Sequence, residues 1–141
     1  MSVSRRKLLL VGGGLLAVAC GPQTDGSLPV AIAAGNAKDL AKGTLRAIDG
    51  MGVAIGRDAG GIYAMSLICT HAGCDMSSAG AVSVSSIECY CHGSLFDAQG
   101  NVRRGPALSP LPHLVVTEDA TGNLTIHADQ PTSASTRLPS T

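Results

Sequence analysis

The sequence predicts an all-β fold, and three observations support this prediction. The 141-residue chain has 18 glycines but only one Phe, two Tyr and no Trp, a composition that favours short strands and tight turns over long packed helices. Short apolar or alternating runs are separated by turn signals such as DG, DAGG and DATG. The sequence has neither a sustained helical period nor an internal repeat. Its length leaves room for one domain.

Eight short runs are predicted to be strands. They cover residues 30–33, 44–48, 52–57, 61–66, 82–84, 86–88, 113–118 and 123–128. After the first run, NAKDLAKG predicts a turn or a single helical turn. The three runs that follow it predict a meander, and the last two predict a hairpin across DATG. SLFD followed by AQGN predicts another turn.

The start of the chain has the layout of a signal peptide, predicted over residues 1–19. A positive segment, RRK, precedes a run of 12 apolar or Gly residues from Leu8 to Ala19. This run is shorter than the roughly 20 residues of a transmembrane helix, which leaves an uncleaved anchor as the alternative. SRRKLL resembles a twin-arginine export signal, with an ordinary Sec leader as its alternative.

The end of this leader, LAVAC, resembles a lipobox in which Cys20 becomes the lipidated first residue. Ala17 departs from the usual Leu, and ordinary signal peptidase would also cut after Ala19. Five cysteines are an odd number for an exported protein, and lipidation of Cys20 would leave four. We therefore expect a lipid-anchored protein on the periplasmic side of the membrane.

The rest of the chain divides by composition. Residues 20–29 predict a tether, residues 30–128 a folded body and residues 129–141, rich in Ser, Thr and Pro, a disordered tail. Without the leader, seven basic residues face ten acidic ones, a net charge of −3. Because this leaves no basic stripe, nucleic acid is not expected as a partner.

Two stretches combine cysteine and histidine at ligand-like spacing: CTHAGC at 69–74 and CYCHGS at 89–94. Gly73 and Gly93 allow each backbone to curl round a common centre. Four such ligands could hold a structural zinc ion, which would make this a zinc-stabilised binding module without redox activity. They could also hold a two-iron, two-sulfide cluster in which two histidines replace two cysteines. Two spare cysteines, expected to form a disulfide in an oxidising compartment, favour the cluster.

These stretches resemble the paired loops of the Rieske iron-sulfur proteins, and the similarity covers most of residues 43–128. The resemblance implies a Rieske-type antiparallel β-sandwich, a small cluster-binding subdomain formed by two loops, and one 2Fe-2S cluster. It implies two cysteine ligands on one iron and two histidine ligands on the other: Cys69, Cys89, His71 and His92. It also implies a disulfide between Cys74 and Cys91, as in the high-potential class.

The resemblance further identifies residues that tune the cluster. GSLFDAQGNVRRGPA is similar to the segment that leads into the family's proline loop, here Gly105 and Pro106. Ser94 takes the position of a family serine that donates to a cluster sulfur, whereas Phe96 stands where a tyrosine often donates another hydrogen bond. We expect a potential below that of the best-bonded members but still well above that of the ferredoxin type.

One-electron transfer is the implied activity. The protein would act as a tethered carrier or as the Rieske subunit of a quinol-oxidising or other respiratory oxidoreductase. Its expected partners are redox proteins, such as a cytochrome or an oxidase subunit, with quinol as a further candidate. No catalytic residue is predicted. His113 and His127 are interpreted as surface or edge-strand residues. Arg103 and Arg104 are interpreted as a solvated pair, with a role in docking a partner as the alternative.

Overall fold

The computed structural model describes residues 29–139. The predicted leader, the lipidation site Cys20 and most of the tether lie outside the described residues. Between residues 29 and 139, no helix is long and apolar enough to cross a membrane.

Ten β-strands and one short 3₁₀ helix, Ala37–Asp39, make up the regular structure of residues 29–139. The strands are β1 (Ala31–Asn36), β2 (Thr44–Ile48), β3 (Val53–Asp58), β4 (Gly61–Ser66), β5 (Gly80–Val82), β6 (Ser86–Cys89), β7 (Leu95–Asp97), β8 (Val102–Arg104), β9 (His113–Glu118) and β10 (Asn123–Thr132). The sequence missed β7 and β8 and placed β5 two residues late. Three-residue strands are too short to show a clear alternation.

Two antiparallel sheets form the domain, which confirms the predicted all-β sandwich. One has six strands in the order β1-β10-β9-β4-β3-β2, and the other has four in the order β5-β6-β7-β8. The smaller sheet contains the segment between the two cysteine-histidine stretches. It is therefore the subdomain that carries the candidate site.

The six-stranded sheet separates two apolar cores, because side chains alternate between its faces. On β3, Ile55 joins one core while Ala54 joins the other. On β4, Ile62 joins the same core as Ile55, and Met65 joins the same core as Ala54. The second core also contains Phe96 of β7, so the face of the large sheet packs directly against the site subdomain. Burial on both faces explains why the β3 and β4 runs are almost continuously apolar.

Arg46 links the two edges of the six-stranded sheet. Its Nη2 donates to the Ala34 carbonyl at 2.8 Å, joining β2 to β1. The sheet therefore curves enough for a long side chain on one edge strand to reach the other edge strand. The contact occupies a carbonyl on an edge that would otherwise be open to pairing with another chain.

The predicted disorder after Asp129 is wrong for the residues that the structure describes. β10 continues to Thr132, and the chain then crosses to β4, where the Ile62 and Leu138 backbones exchange hydrogen bonds of 2.9 and 2.8 Å. Gly61 permits this approach, because a Cβ there would collide with the Leu138 carbonyl. The prediction of a disordered tail rested on composition alone. Composition does not show which backbone groups form hydrogen bonds with distant parts of the chain.

Arg137 anchors this C-terminal segment. Its Nε donates to the Asp58 carboxylate at 2.8 Å, and its guanidinium lies 4.4 Å from the centre of the Tyr63 ring. Tyr63 in turn donates its hydroxyl to the Ala98 carbonyl at 2.8 Å, just beyond β7. The C-terminal segment is therefore connected, through one buried ring, to the site subdomain.

His113 has a structural role that the sequence did not reveal. It is buried on β9 inside the large sheet rather than lying at the surface or an edge, so that prediction is wrong. Its ring stacks on Tyr63 at 5.8 Å, and its Nε2 donates to the Gln99 carbonyl at 2.9 Å. The isolated position of this histidine in the sequence gives no sign of these partners.

We predict that Arg137→Ala lowers the free energy of unfolding by about 1–3 kcal/mol at neutral pH, because a partly buried charged hydrogen bond and a cation–π contact are lost. Burial raises the pKa of Asp58, but the hydrogen bond from Arg137, the Gly60 and Gly61 N–H groups and the Arg137 charge lower it more, to a net value below 3.8. The Asp58–Arg137 pair therefore contributes its full stabilisation at pH values above 3.8, and this contribution is lost as the pH falls through the lowered pKa of Asp58.

Urea unfolding followed by circular dichroism measures this effect. Arg103→Ala is the control, because Arg103 pairs with Asp97 while its own side chain is 65% exposed, and such pairs contribute about 1 kcal/mol or less. Equal losses in the two variants would contradict the assignment, and so would a loss in Arg137→Ala that is as large in acid as at neutral pH, because only the cation–π contact is expected to survive protonation of Asp58.

Candidate metal centre

The two cysteine-histidine stretches fold into loops with the same hydrogen-bond closure. In loop 1, residues 69–74, Cys69 donates its N–H to the Cys74 carbonyl and accepts from Gly73, both at 2.8 Å. In loop 2, residues 89–94, Cys89 donates to the Ser94 carbonyl and accepts from Gly93, both at 2.9 Å. Each loop thus begins with a cysteine fixed at both backbone groups.

Glycine is required at the fifth position of each loop. Gly73 has φ of +76° and Gly93 has φ of +80°, values that other residues adopt only with strain. No atom lies within 4 Å of a Cβ built at either position. The glycines are therefore needed for conformation and not to make space.

The loops bring the two thiols close to each other and the two imidazoles close to each other. Cys69 and Cys89 are buried free cysteines whose thiols lie near each other. His71 and His92 are exposed, and their rings meet edge to face with centroids 4.8 Å apart. The site therefore has a buried sulfur side and a solvent-facing nitrogen side.

The environment of Cys89 contains opposing influences. Burial raises the pKa of the Cys89 thiol, and this effect outweighs the N–H groups of Cys91 and His92, which are directed at its sulfur and favour the thiolate. These backbone donors suit a sulfur that carries negative charge, as a metal-bound thiolate does.

Cys74 and Cys91 form a disulfide that joins loop 1 to loop 2, with Cα atoms 6.6 Å apart. The sulfur atoms of Cys74, Cys89 and Cys91 all lie within 4.8 Å of one another. Only Cys89 of these three keeps a free thiol, so the trio is not a ligand set. Of the two cysteines in CYC, Cys89 is therefore available as a ligand and Cys91 is not.

A third segment, the proline loop at 105–109, closes over the other two. The Ser94 hydroxyl, fully buried, accepts a hydrogen bond of 2.9 Å from the Ala107 N–H, which leaves its own hydrogen free to donate. The Thr70 hydroxyl donates to the Ser109 carbonyl at 2.6 Å. Gly105 and Pro106 are exposed at this end. No sequence signal identified Thr70, whose partner lies 39 residues away.

Phe96 lies fully buried in the same core as Cys69 and Cys89. On the outer side, Tyr90 is 64% exposed and Leu108 is 94% exposed. All the predicted site residues within the described chain therefore gather at one end of the domain. Two thiols and two imidazoles could hold either a tetrahedral zinc ion or an iron-sulfur cluster of mixed ligation.

A family model described as "Rieske [2Fe-2S] domain" matches residues 30–116 of this chain. The match includes both loops and the proline loop. It covers more than half of the chain.

Curated relatives match shorter stretches. The chain is 46% identical over 61 residues to the cytochrome b6-f complex iron-sulfur subunit of Synechococcus elongatus, covering 42% of this chain and 33% of that one. It is 46% identical over 67 residues to the cytochrome bc1 complex Rieske iron-sulfur subunit of Corynebacterium diphtheriae, covering 46% of this chain and 16% of that one. The matches thus span a third or less of these relatives.

Among solved structures, a chain from the complex of reduced oxygenase and oxidized ferredoxin in carbazole 1,9a-dioxygenase is similar in fold. The TM-score is 0.52 at 25% sequence identity, and the alignment covers 74% of this chain and 98% of the other.

We predict that Ser94→Ala destabilises the protein by about 1–3 kcal/mol, because the Ala107 N–H loses its buried acceptor. Ser109→Ala is the matched control in the proline loop, since Ser109 accepts from Thr70 through its backbone carbonyl. Urea unfolding of both variants measures the difference. Equal stability of the two variants would contradict a specific role for the Ser94 hydroxyl.

Proposed function

The chain belongs to the Rieske [2Fe-2S] domain family, and from this premise we propose that it transfers single electrons between redox partners. Members of this family carry one Rieske-type [2Fe-2S] cluster, and the cysteine-histidine site is the place for it here. The observation that supports the proposal most is the separation of two buried thiols from two exposed imidazoles.

The proposed ligands are Cys69 and Cys89 for one iron and His71 and His92 for the other. The donor set fits a mixed-ligand cluster, because the two cysteines lie near each other and the two histidine rings pack edge to face. The Ser94 hydroxyl, with its hydrogen free, and the N–H groups directed at Cys89 could donate to sulfur. When bound, the cluster supplies a centre that gains and returns one electron.

Each group of residues has its own task in this proposal. The buried cysteines keep water from the sulfur side, while the exposed histidines form the side that a partner can approach. A ring nitrogen of His71 or His92 can hold a proton or hydrogen-bond a quinol, the partner that the resemblance suggests. The Cys74–Cys91 disulfide restrains both ligand loops, which have little core of their own.

The setting proposed for this activity is the periplasmic face of the membrane. The leader, with its RRK segment and lipobox-like end, supports export and an anchor at Cys20. The similarity to cytochrome b6-f and bc1 iron-sulfur subunits supports a role as the Rieske subunit of a quinol-oxidising or other respiratory oxidoreductase. A tethered carrier that serves a cytochrome or an oxidase subunit fits the same features.

Metal and sulfide analysis tests the proposal directly. We expect two irons and two acid-labile sulfides per chain, and a paramagnetic resonance signal on reduction. Cys89→Ser should lose iron, because it removes a proposed ligand. A zinc-loaded, diamagnetic protein would instead establish the zinc-stabilised binding module, which a match to a [2Fe-2S] family does not favour.

Cys20→Ser is the matched cysteine control. It should keep the full iron and sulfide content while moving the protein from the membrane fraction to the soluble periplasmic fraction. If the Cys20→Ser protein stayed in the membrane fraction, this would contradict the lipid anchor but would not affect the electron-transfer proposal.

We predict that Phe96→Tyr raises the reduction potential, because a hydroxyl beside the buried cysteines can donate to sulfur and favour the reduced state. Tyr63→Phe is the control: it removes a hydroxyl of the same core that is bonded to the Ala98 carbonyl, and it should leave the potential unchanged. A redox titration followed by circular dichroism compares them. The absence of an upward shift would count against the assigned position of Phe96.

A further inference from the structure

The two ligand loops are closed by the same pattern of backbone hydrogen bonds, but different side chains connect them to the rest of the domain. Thr70 ties loop 1 to the proline loop by its hydroxyl. In loop 2 the Gly93 carbonyl, directly after His92, accepts a hydrogen bond of 3.1 Å from Nε of Arg104. A charged side chain therefore contacts the backbone of loop 2 at the residue next to a proposed ligand.

Arg104 also reaches across β7 to contact β6. It lies on β8 opposite Leu95 of β7, which in turn lies opposite Glu88 of β6. Its Nη2 donates to the Glu88 carboxylate at 3.2 Å. Because Glu88 and Gly93 lie immediately before and within loop 2, one guanidinium contacts the residues on both sides of Cys89 and His92.

The neighbouring Arg103 provides an internal comparison. The two arginines have similar exposure, 65% for Arg103 and 58% for Arg104, and each pairs with one carboxylate. Arg103 pairs with Asp97, at the far end of β7 from loop 2. Only Arg104 of these two contacts a ligand loop in the described structure, so the interpretation of both as a solvated pair is incomplete.

We propose that Arg104 is a positioning residue that holds loop 2 closed and raises the reduction potential of the centre. The guanidinium fixes the Gly93 carbonyl in the turn that carries His92. Its positive charge also opposes the added negative charge of the reduced state, and Glu88 offsets part of that effect. This inference rests on the proposed electron-transfer function, since a centre without redox activity has no potential to tune.

The energy of an exposed ion pair alone is small, so stability is a poor test of this role. The potential is a better test, because it responds to charge and to hydrogen bonding near the cluster. The paramagnetic resonance spectrum adds a second measure, since it reports the geometry of the ligands.

The experiment compares three variants of the full chain with its centre in place: Arg104→Gln, Arg103→Gln and Glu88→Gln. We expect Arg104→Gln to lower the potential more than Arg103→Gln and to shift or broaden the resonance signal, which Arg103→Gln should leave unchanged. Glu88→Gln should raise the potential, because it removes a negative charge while Arg104 keeps its contact with Gly93. This last variant tests the proposal even if Arg104→Gln fails to fold.

Two results would overturn the proposal: equal shifts in the two arginine variants, or a lowered potential in Glu88→Gln. The unmodified protein separates this failure from failure of the proposed function. A resonance signal from the unmodified protein with no specific effect of Arg104→Gln rejects only the role of Arg104. The absence of that signal together with bound zinc rejects the electron-transfer function itself.

Discussion

The double backbone closure of each ligand loop is the constraint on which the candidate centre depends. Cys69 and Cys89 each donate an N–H and accept with a C=O inside their own loop, and a left-handed glycine completes both turns. This geometry buries the first cysteine of each loop and leaves the following histidine exposed. It also brings Cys74 and Cys91 within bonding distance, although they occupy different positions in their loops.

Support for these loops comes from the large sheet, which they do not join. β3 and β4 direct alternate side chains to opposite faces, so one face serves the sheet's own core and the other packs against Phe96 and the two buried cysteines. Tyr63 extends this support with a hydrogen bond to the Ala98 carbonyl. The small subdomain, with strands of three or four residues, is stable because it shares a core with a larger sheet.

A chemical polarity follows from this arrangement. The Cys89 thiol and the Ser94 hydroxyl lie on the buried side, where a low dielectric strengthens hydrogen bonds, while the imidazoles, Tyr90 and Leu108 lie on the exposed side. Electron transfer needs both sides: a rigid, dry environment that fixes the properties of the centre and an accessible face for partners. The disulfide and the proline loop hold the two sides together without covering the histidines.

The sequence by itself determined the strands of the large sheet, the turns and the clustering of cysteine with histidine, because alternation and turn chemistry are local properties. The pairing of Cys74 with Cys91 came from a family resemblance and not from spacing. Only the tertiary structure decided the long-range contacts: Thr70 with Ser109, Tyr63 with Ala98, and the C-terminal segment with β4. These contacts depend on how the backbone folds back on itself, and no short window of sequence contains both partners of any of them.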